Sequence, residues 1–346
     1  MSVWNPGKIA VLFGPSSGKG ATVESEEALA SWLKGRDTAV CAGRFAGTGA
    51  QALWARLKPT GGVERAQGYV EDLRSSVAAF AAWGADLLVC VGGDGLSSYA
   101  ADAMVASGRR MAMLGIAAGT INVGPIVSIG IEALRDESLD FCSTEPVGAI
   151  EVLVDDRHLA YGFNDVVIGD TFLGTIDERV ASLSAQALLE RGEKVEARPS
   201  ADIASQDFGV WKNGKKLDSI LRQPAQIIAS ALKPREFFAR AVAGPLCNAA
   251  YMRGSAALAL FDSVIVAAGS PSQGIENFSA SEQILFGPED AIALRGLTDA
   301  GQLIVDGNPF ARMGETVGFR SVPGFIDVVK SGHRWLGGSR EWTLPE

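Results

Sequence analysis

"LLVCVGGDGLSSYA", Leu87 to Ala100, is a short apolar run that breaks into glycines and then resumes with helical spacing. A strand that ends in Gly92, Gly93 and Gly95 leaves its backbone free to approach a ligand closely. A helix expected over Leu96–Ser107 starts just behind, with its positive dipole end toward that turn. Asp94 sits among these donors. A carboxylate there can hold a hydroxyl while it attacks a phosphoryl group, or help to position Mg²⁺. The same residues also suit a plain tight turn in which Asp94 caps the helix. Taken alone, the stretch allows both readings.

Working outward, short apolar runs alternate with helical spacing through the first 145 residues. Lys8–Phe13 predicts a strand, Glu24–Leu33 a helix and Ala39–Ala42 a second short strand. Tyr69, Leu73, Val77 and Phe80 recur at intervals of three and four, which predicts a long helix over Ala66–Trp83 with Gly84 as its stop. Met111–Ile116 predicts a strand entering "AAGTIN". A βαβ rhythm with glycine loops at strand C-termini is the pattern of an open parallel sheet, whose ligands sit at those ends.

The pattern changes near Glu145. Val147–Val154, "DDRH" and Leu159–Asn164 predict a hairpin, and Asn213-Gly214 is a strong two-residue turn signal. Further strands are expected at Ala225–Leu232, Ala256–Phe261, Ser263–Ala268, Ala291–Leu294, Gln302–Val305 and Glu315–Arg320. One helical insertion is expected at about 177–191. The fold class is therefore α/β: an open parallel-sheet nucleotide-binding domain over residues 1–145, then a β-rich, sandwich-like domain over 146–346.

Composition excludes several functions. Of 346 residues, 47% are hydrophobic and 21% charged, which suits a soluble chain with a sizeable core. The net charge of −9 argues against nucleic acid as a partner. The apolar run Ile9–Phe13 is too short for a signal peptide, and nothing approaches the roughly 18 apolar residues of a membrane span. A cytoplasmic location is expected. The four cysteines lie far apart without a CxxC, and two histidines cannot build a multi-histidine metal site. His158 is expected in the hairpin turn, in solvent. There is neither a Gly-x-Ser-x-Gly elbow nor a dinucleotide GxGxxG in strand–helix context. Trp211 and Trp335, beside basic residues, suit packing better than base stacking.

"VLFGPSSGKG", Val11 to Gly20, fails as a P-loop. Gly14 and Gly18 enclose three residues instead of four, and Gly20 follows Lys19 where a Ser or Thr should stand.

Together these stretches resemble the superfamily of NAD kinases, diacylglycerol kinases and sphingosine kinases. "VGGDG" is similar to its Gly-Gly-Asp-Gly motif. "GPSSGKG" resembles its Asn-Pro-x-x-Gly-x-Gly loop, with Gly14 in place of Asn. "AAGTINVG", Ala117 to Gly124, resembles the Gly-Thr-x-Asn loop. "FNDVVIGD", Phe163 to Asp170, resembles the NAD-kinase Asn-Glu/Asp segment, and "LIVDGNPF", Leu303 to Phe310, the late Asp-Gly-Gln/Glu segment. The run Gly169–Phe172 resembles the acetoin-catabolism protein X group, an NAD-kinase-like branch. The resemblance implies an ATP- and Mg²⁺-dependent kinase acting on a hydroxyl of NAD or another small molecule, and a homodimer or higher homo-oligomer. It implies Asp94 as the catalytic carboxylate, and Gly14, Gly18, Lys19, Gly92, Gly93, Gly95, Gly119, Thr120 and Asn122 as phosphate-side residues. Asn164, Asp165 and Asp170 would hold the acceptor or an adenosine, and Mg²⁺ would arrive with ATP.

Three departures bear on mechanism. Asn308 stands where lipid kinases carry a basic Glu, which disfavours their mechanism. Leu96 replaces the Thr after the Gly-Gly-Asp-Gly. The Gly-Ser-Thr-Ala-Tyr segment of NAD kinases has only poor counterparts, at Arg253–Leu260 and Ala268–Gly274. A non-catalytic nucleotide sensor is the alternative.

Overall fold

The computed structural model describes residues 6–14, 23–41, 46–57, 68–118, 124–130, 134, 143–176, 179–231, 256–268 and 280–330. The chain divides into two compact units, the first running to Val147 and resuming at Ile326, the second spanning Gly148–Phe325.

In the first unit, β1 (Lys8–Phe13) leads through α1 (Val23–Leu33) to β2 (Asp37–Val40). Then follow α2 (Gly47–Leu57), α3 (Tyr69–Trp83), β3 (Leu87–Gly92), α4 (Asp94–Ala106), β4 (Ala112–Ala117) and β5 (Val127–Gly130). The strands form a parallel sheet in the order β2-β1-β3-β4-β5. All six residues of β3 are buried, as expected of a parallel strand covered on both faces, which is why it reads as an unbroken apolar run. Helix α3 buries Leu73, Val77 and Phe80 of the stripe its spacing predicts, leaves Tyr69 partly exposed, and buries Ala81 as well. Gly84 ends it at φ 89°, donating its N–H to Phe80 and Ala81, a left-handed stop that suits glycine.

Helix α2 was not foreseen, because glycines at 47 and 49 conceal its helical spacing. Gly49 packs closely on β1: a Cβ there would stand 3.0 Å from the Phe13 ring, which would have to shift by a few tenths of an ångström.

The second unit is built of antiparallel strands. Strand β6 (Ser143–Val154) spans the division and pairs with β7 (Arg157–Gly162) across Asp155-Asp156, both at positive φ. Next come β8 (Val166–Gly169), β9 (Thr171–Ile176), β10 (Arg179–Ser184), α5 (Ala185–Arg191), β11 (Ala204–Lys212) and β12 (Lys215–Lys216). The remaining strands are β13 (Gln226–Ser230), β14 (Ala256–Phe261), β15 (Ser281–Phe286), β16 (Ala291–Leu297), β17 (Gln302–Val305), β18 (Asn308–Phe310) and β19 (Val317–Lys330). One antiparallel sheet has the order β15-β14-β13-β8-β17-β18. One of its faces packs Ile168, Ile227, Leu258 and Leu303 against Val152, Val210, Leu294 and Phe319 of β6, β11, β16 and β19, a sandwich core. The other face packs Val167, Ile228 and Ala257 against Phe172 and Leu183 of the β9–β10 hairpin. With both faces covered, β14 is buried at every position, and each fully buried Leu contributes about 1.5–3 kcal/mol.

Four expectations are corrected. The insertion near 177–191 is helical only over Ala185–Arg191, because 179–184 pair with β9 as a strand. Ser263–Ala268 is not a strand: its Ile265 and Val266 N–H groups bond the Gln226 side chain at 2.9 Å and Ala268 N–H bonds Ser182 Oγ at 2.8 Å. His158 is exposed, as expected, but lies in β7 rather than in the turn, which closes at Asp156. Its Nδ1 is 3.3 Å from Glu151 and its ring stacks on Tyr161 at 4.4 Å. Residues 326–330 belong to the first unit: β19 runs on past Phe325, Val328 pairs with Met113 of β4, and Val329 O accepts from Ser128 Oγ at 2.6 Å.

Among the described residues no helix is long and apolar enough to cross a membrane.

Candidate active site

In the first unit, glycine-bearing loops after three neighbouring strands are tied to the C-terminal end of β3. Gly14, after β1, donates its N–H to Val91 O at 3.0 Å, and Ala118, after β4, donates to Gly92 O at 3.1 Å. Gly124, at the far end of the "AAGTINVG" stretch, donates its N–H to the Asp94 carboxylate at 2.9 Å. Asp94 is the first residue of α4, and Gly93 is the N-cap, in extended conformation. The carboxylate is therefore used across the loops, where the tight-turn reading had it capping its own helix. Ser97 closes the first turn by donating both its N–H and its Oγ–H to Gly93 O. The start of a helix leaves first-turn N–H groups without intrahelical acceptors, and the dipole there favours negative charge. The structure thus gathers Gly14, Gly92, Gly93, Asp94 and Gly95 in one place. Gly18, Lys19, Gly119, Thr120 and Asn122 lie outside the described residues.

In the second unit, Asn164 is 5% exposed and is held on every side but one. Its N–H donates to Asp306 Oδ1 at 2.8 Å, and its C=O accepts from Ser230 Oγ at 2.7 Å. Its Nδ2 donates to Asp165 Oδ2 at 2.9 Å, which turns Oδ1 the other way. That buried Oδ1 has no hydrogen-bond partner among the described residues. A buried acceptor left so is costly unless a ligand or water meets it. Asp306, 6% exposed, also accepts the N–H groups of Phe163 at 2.8 Å and Asp165 at 3.0 Å. Neither Asp306 nor Ser230 was singled out from sequence for this role. The available signal was the Asp306-Gly307 pair, a hairpin turn now seen with φ of 48° and 78°.

Residues 8–140 match the diacylglycerol kinase catalytic domain. Two solved structures named as kinases match 95% or more of the chain. The crystal structure of yeast NADH kinase with NADH covers 99% of this chain and 91% of its own, at 13% identity and a TM-score of 0.52. A Bacillus anthracis protein described as a diacylglycerol kinase covers 95% of this chain and 98% of its own, at 10% identity and a TM-score of 0.54. The chain has the fold of the NAD kinase and diacylglycerol kinase superfamily. An uncharacterized Archaeoglobus fulgidus protein is 29% identical over 170 residues, 48% of this chain and 49% of that one. The chain thus spans about half the length of this curated relative.

Within this superfamily fold the departures take on a physical form. Leu96, at the position where the resemblance expects Thr, is 6% exposed and lines a small cavity with Leu12, Phe13, Tyr69 and Asp72. It is a core side chain. Asn308 opens β18, two residues past Asp306. Asp170 joins β8 to β9, and its carboxylate accepts Ser200 N–H at 3.0 Å while its C=O accepts Ala185 N–H at 3.2 Å. Burial holds this carboxyl above the ordinary carboxylate range, partly offset by the Ser200 N–H. Asp170 thus joins the two strands. Trp211 has Lys216 Nζ and Arg295 Cζ at 5.4 and 5.0 Å from its ring centroid, which engages the indole within the fold. Of the poor Gly-Ser-Thr-Ala-Tyr counterparts, Ala256–Leu260 is buried strand, while 253–255 and 269–274 lie outside the described residues. Among the described residues no group of three side chains is arranged to hold a metal ion.

Proposed function

We propose that this protein is an ATP-dependent phosphotransferase of the NAD-kinase type, acting on a hydroxyl of NAD or of a small alcohol. The observation that carries this reading is the bond from Gly124 N–H to the Asp94 carboxylate, which joins the two phosphate-side loops at the start of α4. The donor set fits a triphosphate: glycine backbone that phosphate can approach closely, and a helix N-terminus. Mg²⁺ bound to the triphosphate would neutralise charge between the β- and γ-phosphates. Asp94 orients the acceptor hydroxyl and takes its proton as the acceptor oxygen bonds to the γ-phosphorus and the bond to ADP breaks. Asn164 and Asp165 hold an adenosine group, the Asn164 Oδ1 accepting from an exocyclic amine or a hydroxyl. The finer placement beside the acetoin-associated branch rests on Gly169–Phe172 alone, a run that serves here as a joint between strands.

A specific observation also favours a non-catalytic nucleotide sensor. Leu96 fills a core position where the resemblance expects a hydroxyl. Incubating the protein with Mg²⁺-ATP and a panel comprising NAD, vicinal diols and sugar alcohols separates the two. ADP formation that depends on an alcohol supports the phosphotransferase. Binding of ATP without turnover against any alcohol supports the sensor.

A further inference from the structure

We infer that Asp306 is a positioning residue that sets the Asn164–Asp165 pair for its ligand; this rests on the reading that the pair holds an adenosine group. Asp306 stands at the tip of the β17–β18 hairpin in left-handed conformation. Its carboxylate gathers three successive N–H groups, from Phe163, Asn164 and Asp165, all within 3.0 Å. Its own N–H donates to Asp165 O at 3.0 Å, so the grip closes in both directions. With Ser230 holding the Asn164 carbonyl, the main chain of Asn164 has no freedom to rotate. The side-chain amide is then aimed by Asp165, and Oδ1 is presented as a fixed, buried acceptor. Preorganisation of this kind lowers the ordering cost that ligand binding would otherwise carry.

A second hairpin in the same unit shows what a structural carboxylate does here. Asp155 also sits at a two-residue tip at positive φ, and its Oδ1 accepts the N–H groups of Glu315 and Thr316. Its grip touches neither Asn164 nor Asp165. Asp155 is therefore the control for hairpin docking without ligand positioning.

The charge at Asp306 matters because N–H bonds to an ionised acceptor are about twice as strong as neutral ones. An amide at 306 can still accept through one oxygen. Its NH₂ must then face the Phe163 or the Asn164–Asp165 donors, so part of the grip is lost and the turn loosens.

The test is titration calorimetry of the full-length protein with ATP and with NAD, for wild type, Asp306→Asn, Asn164→Ala, the double variant and Asp155→Asn. A displaced Asn164 Oδ1 forfeits its hydrogen bond to the ligand, so Asp306→Asn should weaken the adenine ligand by about tenfold. Asn164→Ala should do the same, the double variant should be no weaker than Asn164→Ala, and Asp155→Asn should bind as wild type. Should Asp306→Asn fail to fold, Asp306→Ser, which keeps one acceptor oxygen, enters the same cycle. Affinity within twofold of wild type for the Asp306 variant, or losses that add in full, overturns the positioning role. Wild type binding neither ligand, or Asn164→Ala binding normally, instead overturns the adenosine reading beneath it, and the inference with it.

Discussion

The carboxylate of Asp94 accepts the backbone N–H of Gly124 at 2.9 Å, across 30 residues of sequence. One side chain thus ties the loop after β3 to the end of the loop after β4. Structure and chemistry meet at this carboxylate, and the first prediction separates them.

Asp94→Asn keeps an oxygen for the Gly124 N–H and removes the proton acceptor. Turnover should fall by about 10²–10⁴, the usual loss for a positioned general base, with a thermal midpoint close to wild type. Steady-state kinetics beside a melting curve checks both halves. Normal kinetics would show that the carboxylate only ties the loops.

Gly93→Val tests the phosphate cradle. Gly93 lies at φ −105° and ψ −174°, a conformation that valine adopts readily. Backbone strain will not be the cause of any loss. The added side chain should block phosphate approach and collapse ATP affinity in calorimetry while the fold persists. An unchanged Kd would remove the loop after β3 from the nucleotide site.

The thiols predict an alkaline weakness. Burial pushes Cys41 up to about 12 and Cys90 higher still, and burial likewise pushes Tyr99 up to about 12. In the unfolded chain the cysteines ionise near pH 9, so above that pH the unfolded state binds fewer protons than the native one and stability falls. The stability these groups contribute is fully present below pH 9 and is lost as pH rises toward 12. Denaturant midpoints should drop across that window, and Cys90→Ala should flatten the slope. In the folded protein at neutral pH, Cys41 and Cys90 should resist alkylation, as mass mapping of their peptides would show.

The acceptor prediction concerns rate. Adenine nucleotides should bind, because Asn164 keeps a fixed acceptor. Phosphorylation of NAD should be slow, because Leu96 lies in the core and offers no hydroxyl to the phosphate loop. NADP formation from ATP and NAD should run well below the common enzyme median of about 10 s⁻¹. A value near that median identifies an ordinary NAD kinase and removes the small-alcohol alternative.

The elements of the first unit were legible because their patterns are local. Apolar continuity marks β1 and β3, three-and-four spacing marks α3, and Gly84 marks its end. In the second unit, the turn at Asn213-Gly214 announces itself by residues that tolerate positive φ. The strand expected over Ala225–Leu232 is found at Gln226–Ser230. The Gly-Gly-Asp-Gly stretch was likewise visible, since a strand, a glycine turn and a helix start lie within 14 residues.

What tertiary structure decided is non-local. Asp306 and the Phe163–Asp165 turn lie more than 140 residues apart, and no periodicity couples a hairpin tip to a distant loop. Ser263–Ala268 has the composition of a strand, yet the side chains of Gln226 and Ser182 claim its N–H groups. Asp170 reads as a site residue by its motif, and the bonds it accepts from Ser200 and Ala185 are ones the motif does not announce. Strand β19 is longer than its pattern suggests, because its end finds a parallel edge at Met113. Local sequence sets which conformation a segment prefers. Which distant donor or strand edge meets it is set by packing, and that alone assembled the grip on Asn164.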